Sequence, residues 1–208
     1  SATLAVTSNY NGSEISCPGA SDGEVTTTAS GGTGTLSYEL VEDPTNVTGA
    51  ATGIFTGLSA GTYSVKVTDQ NGCFVVTTFV LVDDPLGISA FTTVSSNYNG
   101  SEISCNGGAD GEITVSAFGG TGALSYVLVE DPGNVTGAAT GVFTGLSSGS
   151  YTVTVTDANG CFVTTAPVSV DDPPAISANT SIISNYNGAH VSCFGASDGS
   201  IRTTATGG

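Results

Sequence analysis

The sequence predicts an all-β protein built from tandem two-sheet domains, and three observations carry that prediction. An 88-residue unit recurs in register: Ser8-Asn9-Tyr10-Asn11-Gly12 returns at 96–100 and 184–188, Cys17 returns as Cys105 and Cys193, and Asp69, Gly72 and Cys73 return as Asp157, Gly160 and Cys161. Apolar residues alternate with polar ones or gather in β-branched runs, and no segment carries the 3.6-residue period of an amphipathic helix. Turn-forming groups separate the runs: Asn11-Gly12, Ser21-Asp22-Gly23, Gly31-Gly32-Thr33-Gly34, Asp43-Pro44 and Asp69-Gln70-Asn71-Gly72.

Taken in order, the first unit should place strands near residues 4–8, 24–30, 36–41, 53–55, 62–68 and 74–82. Tyr63-Ser64-Val65-Lys66-Val67 alternates cleanly and aims Tyr63, Val65 and Val67 at one face; the second unit keeps Tyr151, Val153 and Val155 and changes the outward Lys66 to Thr154. Ile15, Val25, Tyr38, Leu40, Phe55, Leu58 and Phe74 should complete the core. Six or seven short strands in this length point to an immunoglobulin-like β-sandwich. The run from Leu58 to Tyr63 is similar to the tyrosine corner of such domains, but Cys73 follows too late for their inter-sheet disulfide.

At 88 residues the unit exceeds the roughly 20 to 50 residues of stacking solenoid repeats and falls in the range of an independent domain. The boundaries fall at Val82-Asp83-Asp84-Pro85 and its copy Val170-Asp171-Asp172-Pro173, giving repeats at 1–84 and 85–172 and the start of a third at 173–208, in a window of a longer polypeptide. Proline stiffens each joint, so the expected arrangement is an elongated array of equivalent units.

Two basic residues, Lys66 and Arg202, stand against 18 acidic ones, a formal net charge of −16. Nucleic acid and anionic membrane surfaces are excluded as partners, because binding them rests on clustered Lys and Arg. No apolar run approaches the roughly 18 residues of a membrane-spanning helix.

The five cysteines follow the repeat. Pairing Cys17 with Cys73 and Cys105 with Cys161 makes every unit self-sufficient and leaves Cys193 waiting for a partner past the last residue; a bridge between units, Cys73 to Cys105, is the competing connectivity. Zinc needs four ligands, which no repeat supplies.

The ordered set Cys17-Pro-Gly-Ala-Ser-Asp22-Gly23, Gly31-Gly32-Thr33-Gly34 and Gly61-Thr62-Tyr63 leading to Val67-Thr-Asp69-Gln-Asn71-Gly72-Cys73 resembles the SprB-type repeat of very large bacterial cell-surface adhesins. The resemblance extends over both complete units and the opening of the third. It implies a surface filament or adhesin, in a family associated with type IX secretion and, for particular members, gliding motility.

Two further groups of residues invite a binding role. Asp83 and Asp84, repeated as Asp171 and Asp172, are hard oxygen ligands at the joints, of the kind calcium takes; Asp and Asn beside Gly are equally the ordinary residues of turns. No other cofactor is implied. Tyr10, repeated as Tyr98 and Tyr186, sits in a polar setting where an exposed ring stacks on a sugar and a half-buried one braces a joint. Catalysis finds no support: His190 is the single histidine and replaces Glu14 and Glu102 of the other units.

The reading that unites these features is a non-enzymatic stalk and multivalent display segment of a secreted, extracellular cell-surface filament or adhesin. Its partners are neighbouring repeats, other copies of the filament, and surface glycans. Two alternatives stand beside it, a filament subunit that interlocks by strand exchange and a carbohydrate-binding or spacer module of a secreted enzyme.

Overall fold

A computed structural model describes all 208 residues. Every regular element is a strand. The first repeat contributes β1 (Ala2–Val6), β2 (Gly23–Ala29), β3 (Ser37–Leu40), β4 (Ile54–Leu58), β5 (Gly61–Tyr63), β6 (Val65–Thr68), β7 (Phe74–Val76) and β8 (Val80–Val82). The second contributes β9 (Ser89–Val94), β10 (Ala109–Phe118), β11 (Ser125–Leu128), β12 (Val142–Ser147), β13 (Gly149–Tyr151), β14 (Val153–Thr156), β15 (Phe162–Thr164) and β16 (Val168–Val170). β17 (Ser177–Ile182) and β18 (Ile201–Thr206) follow.

One compact unit comprises Ser1–Phe91 with Ser116–Val127 and Val153–Thr165. In it β1, β2 and β4 form an antiparallel sheet, with Val6 opposite Val25 and Val25 opposite Phe55. A second sheet has the order β3-β6-β7, and β5 pairs with β8. Alternation on β2 sends Gly23, Val25 and Thr27 inward, and on β6 Val65 and Val67. These meet Ile15, Leu40, Phe55, Leu58 and Val82 in one buried cluster, so the two sheets are the layers of a sandwich. Burial of Phe55 alone contributes roughly 2 to 3 kcal/mol. From the second repeat this unit also holds β14 and β15, paired from Thr154–Thr164 to Thr156–Phe162.

The other unit comprises Thr92–Val115, Leu128–Thr152 and Ala166–Gly208. Here β10 pairs with β12 through irregular register at Gly111, and β13 pairs with β16. β17 and β18 pair from Ser177–Thr206 to Ile182–Ile201 with every residue exposed.

Three sequence expectations need correction. The single strand expected over 62–68 is broken at Ser64, where the chain passes from the pairing with β8 to the pairing with β3. Side chains replace strand partners there: the Ser64 amide and hydroxyl donate to Glu42 at 2.7 and 2.8 Å, and the Val65 amide donates to the Thr77 hydroxyl at 3.0 Å. The run over 74–82 divides at Thr77–Phe79 for the matching reason, since Thr77 returns its own amide to the Val65 carbonyl. Phe74 is not core; it is 65% exposed on β7, at the edge of its sheet, beneath the Lys66 ammonium at 5.2 Å. The tyrosine corner is present in kind, as the Tyr63 and Tyr151 hydroxyls each donate to the carbonyl four residues back, Ser59 and Ser147, at 2.9 Å.

Gly49 lies against the buried Phe55 ring, where an added Cβ would stand 2.7 Å from the ring carbons. Gly137 and Phe143 repeat the contact. The Gly49→Ala substitution should therefore destabilise the protein by about 1 to 3 kcal/mol, because the Phe55 site is already filled. Chemical denaturation measures this, and an unchanged midpoint would show that the ring is not so confined.

Candidate functional site

The constellation that joins one repeat to the next starts from a carboxylate. Asp157 is 7% exposed and closes the β14–β15 turn, accepting from the amides of Asn159 and Cys161 on Oδ1, both at 2.9 Å, and from Thr121 on Oδ2 at 2.9 Å. Gly160 supplies the left-handed conformation, φ 87°, that the turn requires. The result is a fixed hairpin tip that presents Asn159 and Cys161 together.

Facing it is the loop around Cys17 from the first repeat. Asn11 and Gly12 both have positive φ, 53° and 98°, which makes a tight reversal bridged by Tyr10 and Ser13. The loop is then tied down by Ser16 N donating to Asp22 Oδ1 at 3.1 Å, Ala20 N to the Cys17 carbonyl at 2.9 Å, and Gly19 N to Asp84 Oδ1 at 3.1 Å.

Loop and hairpin meet inside the first compact unit. Asn159 Nδ2 donates to the carbonyls of Tyr10 and Ser16 at 3.1 and 3.0 Å, and Asn11 Nδ2 donates to Asn159 Oδ1 at 2.6 Å. The hydroxyls of Ser13 and Thr121 are 3.2 Å apart. At the centre Cys17 is bonded to Cys161, with Cα atoms 5.6 Å apart. The bridge closes 144 residues of sequence, for which the loop-entropy relation gives about 5 kcal/mol of stabilisation.

This pairing corrects the expectation that Cys17 joins Cys73 and Cys105 joins Cys161. Cys73, Cys105 and Cys193 are free and exposed, and the Cys73–Cys105 alternative is not formed. The physical reason lies in the periodicity: joining the first cysteine of a repeat to the second cysteine of its own repeat or of the following one satisfies the same spacing rule, and only tertiary contacts choose. Asn11, Ser13, Thr121 and Asn159 make the contacts that accompany the Cys17–Cys161 pair. Their signal in the sequence was Asn in Asp-x-Asn-Gly-Cys, which reads as turn chemistry alone.

The other candidates lie as follows. The Asp83 amide donates to Glu14 Oε2 at 2.8 Å, and the Asp171 amide to Glu102 Oε2 at 2.7 Å. Asp84 and Asp172 accept from the Gly19 and Gly107 amides of the cysteine loops, both at 3.1 Å. No three Asp, Glu, His or Cys side chains converge as a metal-binding group. The Tyr10, Tyr98 and Tyr186 hydroxyls donate to the carbonyls of Asp22, Asp110 and Asp198 at 3.0, 3.0 and 3.2 Å, so each brings the strand approach and the cysteine loop together. Burial, then the Asp22 and Glu24 carboxylates, hold the Tyr10 hydroxyl above its ordinary pKa and keep it a donor. The Tyr10 ring also lines a shallow groove with Asn9, Ser21 and Thr56; Tyr98 does the same with Asn97 and Thr144.

The SprB repeat family matches this chain over residues 9–48 and 97–129, segments that contain the Cys17 and Cys105 loops. No curated protein sequence matches it. Among solved structures, a C-terminal fragment of intimin in complex with the intimin-binding domain of its translocated receptor aligns over 93% of this chain and 72% of its own, at 14% identity and a TM-score of 0.33. Domains 4–9 of the surface layer protein SbsC align over 99% of this chain but 36% of their own, at 18% identity and 0.31. A tetra-tandem repeat from the extending region of a large adhesion protein aligns over 99% and 62%, at 14% identity and 0.26. Scores this low do not establish a shared fold, and the sandwich rests on the sheets and core themselves.

Non-reducing peptide mapping should recover a Cys17–Cys161 linked peptide; a Cys17–Cys73 peptide in its place would overturn the latch. A second expectation concerns acid. Asp69, the first-repeat counterpart of Asp157, is held below its ordinary carboxyl pKa by the Thr33 amide first, against burial, and then by the Cys73 and Asn71 amides. A depressed folded value makes the unfolded chain take up the proton first, so this stabilisation is complete above the ordinary carboxylate range and is lost as pH falls through the depressed value. Asp69→Asn should lower the melting temperature at neutral pH and converge on the unsubstituted protein in strong acid. Parallel melting curves at all pH values would refute it.

Proposed function

We propose that this chain is a non-catalytic repeat segment of a large secreted cell-surface adhesin or filament, with repeats at 1–84 and 85–172 and the start of a third at 173–208, in which each repeat is fastened to the next as well as folded in itself. The observation that carries this reading is the Cys17–Cys161 latch with its Asn11, Ser13, Thr121 and Asn159 contacts. A covalent tie between consecutive repeats resists pulling along the chain, which a stalk must do and an isolated binding module need not. The SprB repeat matches at 9–48 and 97–129 favour the same reading. The disulfide suits an oxidising compartment outside the cell, and the acidic surface, with net charge −16, suits solubility there. The partners that follow are first of all adjacent repeats of the same polypeptide.

Antibodies raised against residues 1–208 test the location: they should label intact producing cells, and brief external proteolysis should abolish the signal. Labelling only after permeabilisation would overturn a surface role. Pulling on single molecules tests the mechanics. With the bridge intact, the 144 residues it encloses cannot extend, so the oxidised protein should unfold to a contour length shorter by about 500 Å than the reduced one. Equal lengths would remove the mechanical argument.

A further inference from the structure

We propose that the grooves beside Tyr10 and Tyr98 are two copies of one carbohydrate site, each taking the ring and adjacent hydroxyls of a neutral hexose unit in a glycan. The inference does not rest on the stalk reading, since each groove is complete within its own repeat.

The groove beside Tyr10 has a volume of about 560 Å³ and its copy about 490 Å³, inside the range of roughly 300 to 1,000 Å³ that small-molecule sites occupy. The first lies wholly in one compact unit and the second wholly in the other. A missing neighbour does not account for the opening: the first repeat has its successor in this sequence, the second its predecessor, and in both the lining comes from the repeat itself.

The walls are fixed before any ligand arrives. The Thr7 hydroxyl donates to Glu24 Oε1 at 2.6 Å, the Glu24 amide to the Ser8 hydroxyl at 3.0 Å, the Gly12 amide to Asn9 Oδ1 at 2.8 Å, and the Tyr10 hydroxyl to the Asp22 carbonyl at 3.0 Å. The second repeat makes all four again, from the Ser95 hydroxyl to Glu112 Oε1 at 2.7 Å, the Glu112 amide to Ser96 at 2.9 Å, the Gly100 amide to Asn97 at 2.8 Å, and the Tyr98 hydroxyl to the Asp110 carbonyl at 3.0 Å. Left for a ligand in each groove are the second glutamate oxygen, the asparagine Nδ2 and the hydroxyl of Thr56 or Thr144, beside a tyrosine whose polar end is already satisfied.

That set describes its ligand. The carboxylate only accepts, the amide nitrogen only donates, and the threonine hydroxyl does both. Neighbouring sugar hydroxyls answer all three, while the C–H face of a pyranose covers the ring. An ammonium ligand has donors alone and leaves the asparagine nitrogen without an acceptor. An anionic ligand meets Asp22 and Glu24 in the first groove, Asp110 and Glu112 in the second, and no basic residue in either wall. An apolar ligand would take water from the carboxylate and return nothing. In the third repeat Ser200 stands where the others have glutamate, and that acceptor is lost. A groove this shallow holds one sugar weakly, and two on one chain gain by acting together.

The test titrates the full, isotopically labelled chain with neutral oligosaccharides of glucose, mannose and galactose, using a glucosamine oligomer as the cationic control and a galacturonate oligomer as the anionic one, and follows the backbone amides by NMR. At millimolar sugar at least one neutral series should shift the signals of Asn9, Glu24 and Thr56 together with those of Asn97, Glu112 and Thr144, and neither charged oligomer should match it. Glu24→Gln combined with Glu112→Gln keeps an acceptor for the Thr7 and Ser95 hydroxyls and should weaken binding about ten-fold in an otherwise unchanged spectrum. Thr56→Val with Thr144→Val suits a strand and should weaken it about three-fold or more. Glu24→Gln alone should leave the second groove titrating as before, yet reduce retention on the immobilised oligosaccharide by more than about two-fold. No shift with any neutral series, shifts confined to other parts of the chain, stronger binding of the glucosamine oligomer, or indifference to both double variants would each overturn the proposal. None of these outcomes touches the stalk reading, which surface labelling and pulling test separately.

Discussion

The carboxylate of Asp157 is the constraint on which the junction depends. Three backbone amides converge on it, from Thr121, Asn159 and Cys161. A buried carboxylate with fewer donors would be costly, since removing charge from water is repaid only by hydrogen bonds or an opposite charge. The amides serve that need, and in doing so they fix the direction of every side chain at the hairpin tip. Asn159 and Cys161 therefore arrive at the Cys17 loop already oriented, and little conformational entropy remains to be lost when the two meet. Asx-turn chemistry, usually a local matter, here decides a contact between residues far apart in the sequence.

The hydrogen bonding of the contact then centres on Asn159. Its Nδ2 serves two carbonyls and its Oδ1 receives Asn11, so all the polar capacity of the amide that faces the loop is used. An aspartate at this position would set a carboxylate against the Tyr10 and Ser16 carbonyls, and a serine would not reach both. The disulfide adds strength to a contact whose geometry is set by neutral hydrogen bonds. The seated loop sets the Cys17 and Cys161 sulfurs side by side.

The fold was legible in the sequence to the extent that local patterning determines it. Alternation placed Val65 and Val67 inward, turn residues marked the hairpins, and Leu40, Phe55, Leu58, Ile15 and Val25 are buried as their periodicity requires. What stayed hidden has a common physical origin. Ser64 looks like any strand residue, and only Glu42 and Thr77, arriving from elsewhere, reveal that the strand breaks there. Phe74 alternates like a core residue but lies on β7, at the edge of its sheet. The cysteine pairing was misread because a perfect repeat carries no mark that separates a bond within a unit from a bond to the next one. Asn159 was visible only as a turn residue, since its second role needs the carbonyls of Tyr10 and Ser16.

Charge explains why the junction is made of such groups. With 18 acidic residues and two basic ones, the chain has almost nothing with which to form ion pairs, and its one salt bridge, Lys66 to Glu39 at 3.4 Å, is exposed and contributes little. Consecutive repeats of this composition repel each other, and the repulsion weakens or strengthens with ionic strength. Cohesion must come from contacts that neither titrate near neutral pH nor depend on salt. Asn, Ser, Thr and a disulfide are such contacts, and the carboxylates that shape the loop and the hairpin, Asp22, Asp84 and Asp157, accept from backbone amides. The same logic carries from the latch to the whole surface: charge keeps the repeats soluble, while neutral hydrogen bonds and sulfur hold them in sequence.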